Sequence, residues 1–285
     1  MREINSKIEK IDNFEIKEKD IVTLTQTNHI VEVQYLSNQN HRQTIQKLDN
    51  DRYICLATGE IKEYNHTENR SQSINSIRQS VKKIRYLINN NFIGSQNELF
   101  ITLTYADNMQ DTEKLYKDYE KFVKRLKYYQ KADIDYICLI EPQSRGAWHI
   151  HMLMKYKDNR KAYIANETLS KLWGNGFVSV KSLHDVDNIG AYLSAYLTNI
   201  DNNKEGKGLR LYMYPVGVNI YRCSRGIKHP EREKLTYEKA KSRVGEGQLT
   251  YSASIKVNIN NDAADNEQAI IISKEYYNMK RSLTQ

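Results

Sequence analysis

The stretch LFITLTY at residues 99–105 reads as a β-strand more clearly than any other segment of the chain. Successive side chains of an extended chain point to opposite sides. Phe100, Thr102 and Thr104 therefore share one face, and Leu99, Ile101, Leu103 and Tyr105 the other. Residues 112–130 follow as an amphipathic helix with Leu115, Tyr119, Phe122, Leu126 and Tyr129 inward. A strand is expected at 135–141, a loop through 142–147, and a second strand at 148–156. Residues 166–173 read as a short helix closed by Gly174 and Gly176, residues 177–183 as a strand and residues 186–197 as a helix. The order strand, helix, strand, strand, helix, strand, helix describes an α+β layer with a mainly antiparallel sheet.

Around this core, residues 1–72 read as a small strand-rich accessory module. Residues 73–200 form the core, entered by a helix over 73–91 with Ile74, Ile77, Val81, Ile84, Leu87 and Ile88 at helical spacing. Residues 201–285 read as a basic extension with a strand-like stretch at 209–222 and a polar tail. A chain of 285 residues can bury a core without disulfides. Cys55, Cys138 and Cys223 are odd in number and widely spaced, which argues against a disulfide framework and for a reducing compartment. The opening residues carry no apolar signal region, and no apolar run approaches a membrane span, so a cytoplasmic protein without membrane contact is expected.

The charge balance is +8, which permits a polyanionic partner. Arg78, Lys82 and Lys83 on the leading helix, and Arg222, Arg225 and Lys228 further along the chain, are candidates for holding DNA phosphates. There are 21 tyrosines against 5 phenylalanines and 2 tryptophans. Tyrosine offers a face for a base and a hydroxyl for a phosphate; the many Asn, Lys and Ile residues leave codon bias as the other source of that excess.

His149 and His151 stand two apart in a strand, so their imidazoles lie side by side on one face. Two neutral imidazoles so placed can hold one divalent cation. Glu141 ends the preceding strand and joins them if the hairpin pairs Glu141 with His149; a slip of one residue removes it. The carboxylate favours Mg²⁺ or Mn²⁺ at a phosphate-handling site. Tyr192 and Tyr196, four apart on the last helix, project from one face. A tyrosine hydroxyl can attack phosphorus and hold one DNA strand covalently. The same spacing also serves packing, since Ile189, Leu193 and Leu197 share the stripe.

Together these residues resemble the HUH endonucleases, most closely the rolling-circle replication initiators of plasmids, phages and integrative elements of Gram-positive bacteria. The resemblance rests on ENRS at 68–71, EPQSRGAWHIHML at 141–153, LWGNGFVSVK at 172–181, DNIGAYLSAYL at 187–197 and YRCSRGIKHP at 221–230, and spans residues 58–230. It implies an HUH/RRM-like (ferredoxin-like) fold, His149, His151 and Glu141 as metal ligands, Tyr192 as nucleophile and Tyr196 as second tyrosine. The implied reaction is a nick in single-stranded or hairpin origin DNA that leaves a 5′-phosphotyrosine and a free 3′-OH. Many relatives carry a lysine three residues after the nucleophile; Ala195 and Asn199 stand there, so Lys171, Lys181 and Arg145 are candidates for that charge. No P-loop motif is present, so a host helicase is expected beside a host DNA polymerase. The rival readings are a conjugative relaxase or single-strand transposase with the same chemistry, a non-catalytic single-stranded DNA-binding module, and a metal-dependent hydrolase without a covalent step.

Overall fold

The computed structural model describes residues 6–38, 44–64, 74–191, 193, 213–215, 217–259 and 268–282. The chain divides into two compact units, Met1–His66 with Pro230–Gln285, and Thr67–His229. The first opens with β1 (Ser6–Ile11), β2 (Ile21–Thr27), β3 (Ile30–Leu36), β4 (Ile45–Lys47), β5 (Arg52–Cys55) and β6 (Ile61–Glu63). The second comprises α1 (Ile74–Asn91), β7 (Glu98–Thr104), α2 (Thr112–Gln130), β8 (Ile134–Pro142), β9 (Trp148–Tyr156), α3 (Asn166–Trp173), β10 (Val178–Ser182) and β11 (Tyr221–Cys223). Beyond Pro230 come β12 (Glu231–Thr236), a helix over Tyr237–Val244, β13 (Gly247–Ile259) and β14 (Gln268–Ser282).

In the first unit, six antiparallel strands run in the order β1-β13-β14-β3-β2-β12, while β4, β5 and β6 make a separate three-stranded sheet. β2 and β3 join through Asn28 and His29, with Asn28 at φ 46°, a left-handed conformation that asparagine tolerates in tight hairpins. Val22, Leu24, Val31 and Val33 bury one face of this sheet with Ala240 and Val244 of the C-terminal helix. The two ends of the chain thus share one sheet: Val22 pairs with Leu235 and Ile11 with Ser254. By sequence the ends stand apart as residues 1–72 and 201–285, because a period of two specifies a strand's buried face and not its partner.

In the second unit, five antiparallel strands run in the order β10-β7-β9-β8-β11. Alternation gives the sheet two unlike faces. Ile101, Leu103, Cys138, Ile140, Ile150, Met152 and Met154 are all fully buried on one of them. There Tyr119 of α2 meets the edge of Tyr136, and Phe122 of α2 meets the edge of Trp173 at the end of α3. Asp111 starts α2 because its carboxylate accepts from the N–H groups of Glu113 and Lys114, which have no partner within the helix. Leu115, Phe122 and Leu126 of that helix are completely buried, each contributing about 1.5–3 kcal/mol of transfer free energy.

Two expectations need correction. Tyr129, expected inward, is 54% exposed, and Val123 is buried instead. Tyr129 lies in the last turn before the left-handed cap at Lys131, where the apolar stripe runs out of partners. The strand-like stretch at 209–222 yields only Tyr221–Cys223 as strand among its described residues. Pro215 lacks a backbone donor and Gly217 sits at φ 85°, so no strand runs through the described residues 213–215 and 217–219. Tyr214 is buried there, and its hydroxyl donates to the Ile140 carbonyl at 2.6 Å.

Candidate metal centre

β9 is the central strand and presents His149 and His151 on the sheet face away from α2. The hairpin register pairs Glu141 with His149 and Leu139 with His151, which brings the carboxylate alongside both rings. Ligand atoms of Glu141, His149 and His151 all lie within 4.8 Å of one another. His151 Nε2 is 3.4 Å from Glu141 Oε1, and the two imidazoles meet edge to face with centroids 4.4 Å apart. The side chains of His151 and Glu141 are 11% and 18% exposed, so the cluster is sheltered but open to solvent on one side. Two nitrogen donors and one carboxylate at this spacing fit a divalent cation and leave coordination positions free.

The opposite neighbour, β7, supplies what the sequence alone does not reveal. Thr104 pairs with His149 and Thr102 with His151. Thr104 Oγ1 lies 2.9 Å from His149 Nδ1, and Thr102 Oγ1 lies 3.2 Å from His151 Nδ1. With Nε2 as the ligand atom, the proton resides on Nδ1 and is donated to the threonine, which fixes tautomer and ring orientation together. Phe100 stacks on the His151 ring at 5.4 Å and 12°. Phe100, Thr102 and Thr104 are legible in the sequence as one strand face; their role becomes visible only once β7 is seen beside β9.

Burial first, and the charge of His151 second, lower the His149 pKa from its ordinary 6.5 to about 4, against the raising pull of Glu141. The His149 lone pair is therefore available at neutral pH. Tyr105 is a poor nucleophile for this site, since burial first and Asp118 second push its pKa far above the ordinary value. Its hydroxyl donates to the Asp118 carboxylate at 3.1 Å.

The segment LWGNGF fixes β7 where it meets the site. Trp173 donates its indole N–H to the Thr104 carbonyl at 3.1 Å. The Thr104 N–H donates to Phe177 and the Ala106 N–H to Asn175. Gly176, at φ 148°, lies so close to this backbone that a Cβ would stand 2.5 Å from the Thr104 oxygen. Glycine at this position is what allows the approach.

The basic candidates scatter. Lys181 lies on β10, paired with Phe100 and exposed on the face that carries the histidines. Arg145 is engaged within the fold, donating to the carbonyls of Tyr105 and Ala106 at 2.6 and 3.1 Å and to Gln143 Oε1 at 3.2 Å. Arg222 pairs with Cys138 and points to the other face, 3.9 Å from the Tyr116 ring centre and 3.6 Å from Glu120. Arg78, Lys83, Lys171, Arg225 and Lys228 are exposed, and Lys82 sits 5.3 Å from the ring centre of Tyr86. Tyr192 and Tyr196 lie outside the described residues. Residues on either side of Tyr192 are described: Ile189 and Leu193 are buried, and the Gly190 N–H donates to Asn89 Oδ1 of α1 at 2.9 Å.

All three cysteines are free, and no helix among the described residues is long and apolar enough to cross a membrane. No curated protein and no solved structure matches the chain. Residues 98–201, which include all three residues of the cluster, match the family model for the replication-associated protein ORF2, a rolling-circle replication family.

Proposed function

We propose that this protein initiates rolling-circle replication by nicking and rejoining single-stranded DNA at an origin. The observation that carries the reading is the convergence of Glu141, His149 and His151 inside the span that matches a replication-associated family. The strand order β10-β7-β9-β8, with α2 and α3 connecting strands within it, supports the HUH, ferredoxin-like reading of the second unit. On this reading residues 73–200 hold the nuclease chemistry, with 1–72 and 201–285 accessory to it.

Glu141 Oε1 and the Nε2 atoms of His149 and His151 would hold Mg²⁺ or Mn²⁺. When bound, the cation polarises the scissile phosphate and stabilises the charge that develops on the leaving oxygen. Thr102 and Thr104 keep the two imidazoles in the required tautomer. The hydroxyl of Tyr192, with Tyr196 as the second nucleophile, attacks phosphorus. The Tyr–O–P bond forms, the P–O3′ bond breaks, and the freed 3′ oxygen becomes a hydroxyl. Because the 5′-phosphotyrosine conserves the phosphodiester, a later attack by a 3′-OH on it reseals the strand and returns the tyrosine. Strand opening and synthesis fall to a host helicase and DNA polymerase.

The test is covalent trapping. End-labelled single-stranded origin DNA is incubated with the protein and Mn²⁺, with and without EDTA, and resolved on a denaturing gel. The expected result is a metal-dependent protein–DNA adduct that Tyr192→Phe or Tyr196→Phe reduces and the double variant abolishes. Cleavage without an adduct would make the protein a hydrolase. Binding without cleavage would make it a DNA-binding module.

A further inference from the structure

We propose that Phe177 is a stacking platform for a base of the strand whose phosphate is held beside Glu141, His149 and His151, an inference that rests on the function proposed above. β10 is the edge strand of the five-stranded sheet, and its register pairs Val178 with Leu103 and Ser179 with Thr102. The hydrogen bond from the Thr104 N–H to the Phe177 carbonyl, 2.8 Å, extends that ladder by one residue. Cross-strand partners point to the same face. Phe177 therefore stands beside Thr104 on the face of the histidines, and Thr104 is in turn the partner of His149. Two strand spacings, about 10 Å, separate the Phe177 backbone from that of His149.

Phe177 is 75% exposed, although its backbone is fixed by the Thr104 bond and by the close approach at Gly176. Its neighbours Val178 and Val180 turn the other way and pack against the core. Phe177, Ser179 and Lys181 thus occupy alternate positions along one exposed edge: an aromatic face, a hydroxyl and an ammonium, with no carboxylate from Phe177 to Ser182. A flat ring for a base followed by a cation for the backbone is the recognition chemistry of single-stranded nucleic acid. A duplex, whose bases are already stacked, offers the ring nothing.

The test compares binding, with Mn²⁺ present, of a fluorescein-labelled oligodeoxythymidylate and of an abasic strand of the same length. Phe177→Ala should weaken the oligodeoxythymidylate about tenfold, from the stacking free energy of one base, and leave the abasic strand unchanged. Phe177→Leu should behave as the alanine variant, and Phe177→Trp should retain wild-type affinity. Equal loss on both strands, or no loss on either, overturns the platform. If Phe177→Ala binds like wild type while wild type still forms its adduct on origin DNA, the platform falls and the initiator reading stands. If the base-dependent loss is present but no adduct forms, the platform stands and the nuclease reading falls. If wild type binds neither strand, both fall.

Discussion

The two faces of the five-stranded sheet are made by the same strands, and they part company at one end, where one stays apolar and the other turns polar. Toward α2, β7, β8 and β9 present Ile101, Leu103, Ile140, Ile150 and Met152, all fully buried. Toward the other side, the alternate residues divide: Phe100, Ile137, Leu139 and Leu153 are buried, whereas Thr102, Thr104, Glu141, His149 and His151 at one end of that face are all partly exposed. One face is a packing surface of apolar side chains. The other is apolar along part of its length and gives way, at one end, to a set of donors held in register by the packed residues. Strict alternation lets a single hairpin serve both purposes, because packing that fixes Ile150 also fixes the histidines on either side of it.

That division predicts that substitutions on the two faces separate stability from chemistry. The largest effect is expected on the packed side. Phe122→Ala should cost about 3–5 kcal/mol of unfolding free energy, read from urea titration, while the folded fraction keeps its Mn²⁺ affinity. On the open side, His151→Ala should reduce nicking by about 10³-fold, the loss of an electrostatic contribution of several kcal/mol, with far less change in Tm. Equal damage to stability from both substitutions would show that the faces are not independent. Thr104→Val removes only the hydroxyl that holds His149 Nδ1 and keeps the side-chain volume. It should weaken Mn²⁺ binding about 10–100-fold by calorimetry, and Thr104→Ser should restore much of that. An unchanged affinity in Thr104→Val would leave the threonine a packing residue.

The open face was easier to read from sequence than its surroundings. His149, Ile150 and His151 fix a face by spacing alone, and pairing Glu141 with His149 needs only a short hairpin, whose register is set locally. The threonines were not legible as ligand supports, because β7 reaches β9 only after α2 and β8 have intervened. The first unit shows the same limit in stronger form. β13, GQLTYSASIKVNI, carries Thr, Ser and Lys among its apolar residues, so its alternation is weak and it reads as tail. Its neighbours are β1, from the other end of the chain, and β14. Tyr129 fits the helical stripe of α2 and still faces solvent, since periodicity gives an angle around the helix and not the extent of the surface beneath it.

The smallest effect concerns protons on the open face. His149 is buried enough that its pKa falls from 6.5 to about 4, so the folded metal-free protein binds that proton less readily than the unfolded chain. The stability gained from keeping His149 neutral is complete above pH 6.5 and is lost as pH falls toward 4. Between pH 7.5 and 5.5 the loss should be about 1 kcal/mol, measured as the shift in urea unfolding free energy in EDTA. His149→Gln, which cannot titrate, should lack this increment while retaining the pH dependence of every other group. With Mn²⁺ in excess the wild-type loss should grow, because protons then compete with the cation for the imidazole. If the wild-type and His149→Gln proteins lose equal stability in EDTA, the imidazole is as well hydrated as in the unfolded chain. The open face would then hold its histidines in water rather than in the shelter of β7 and β8.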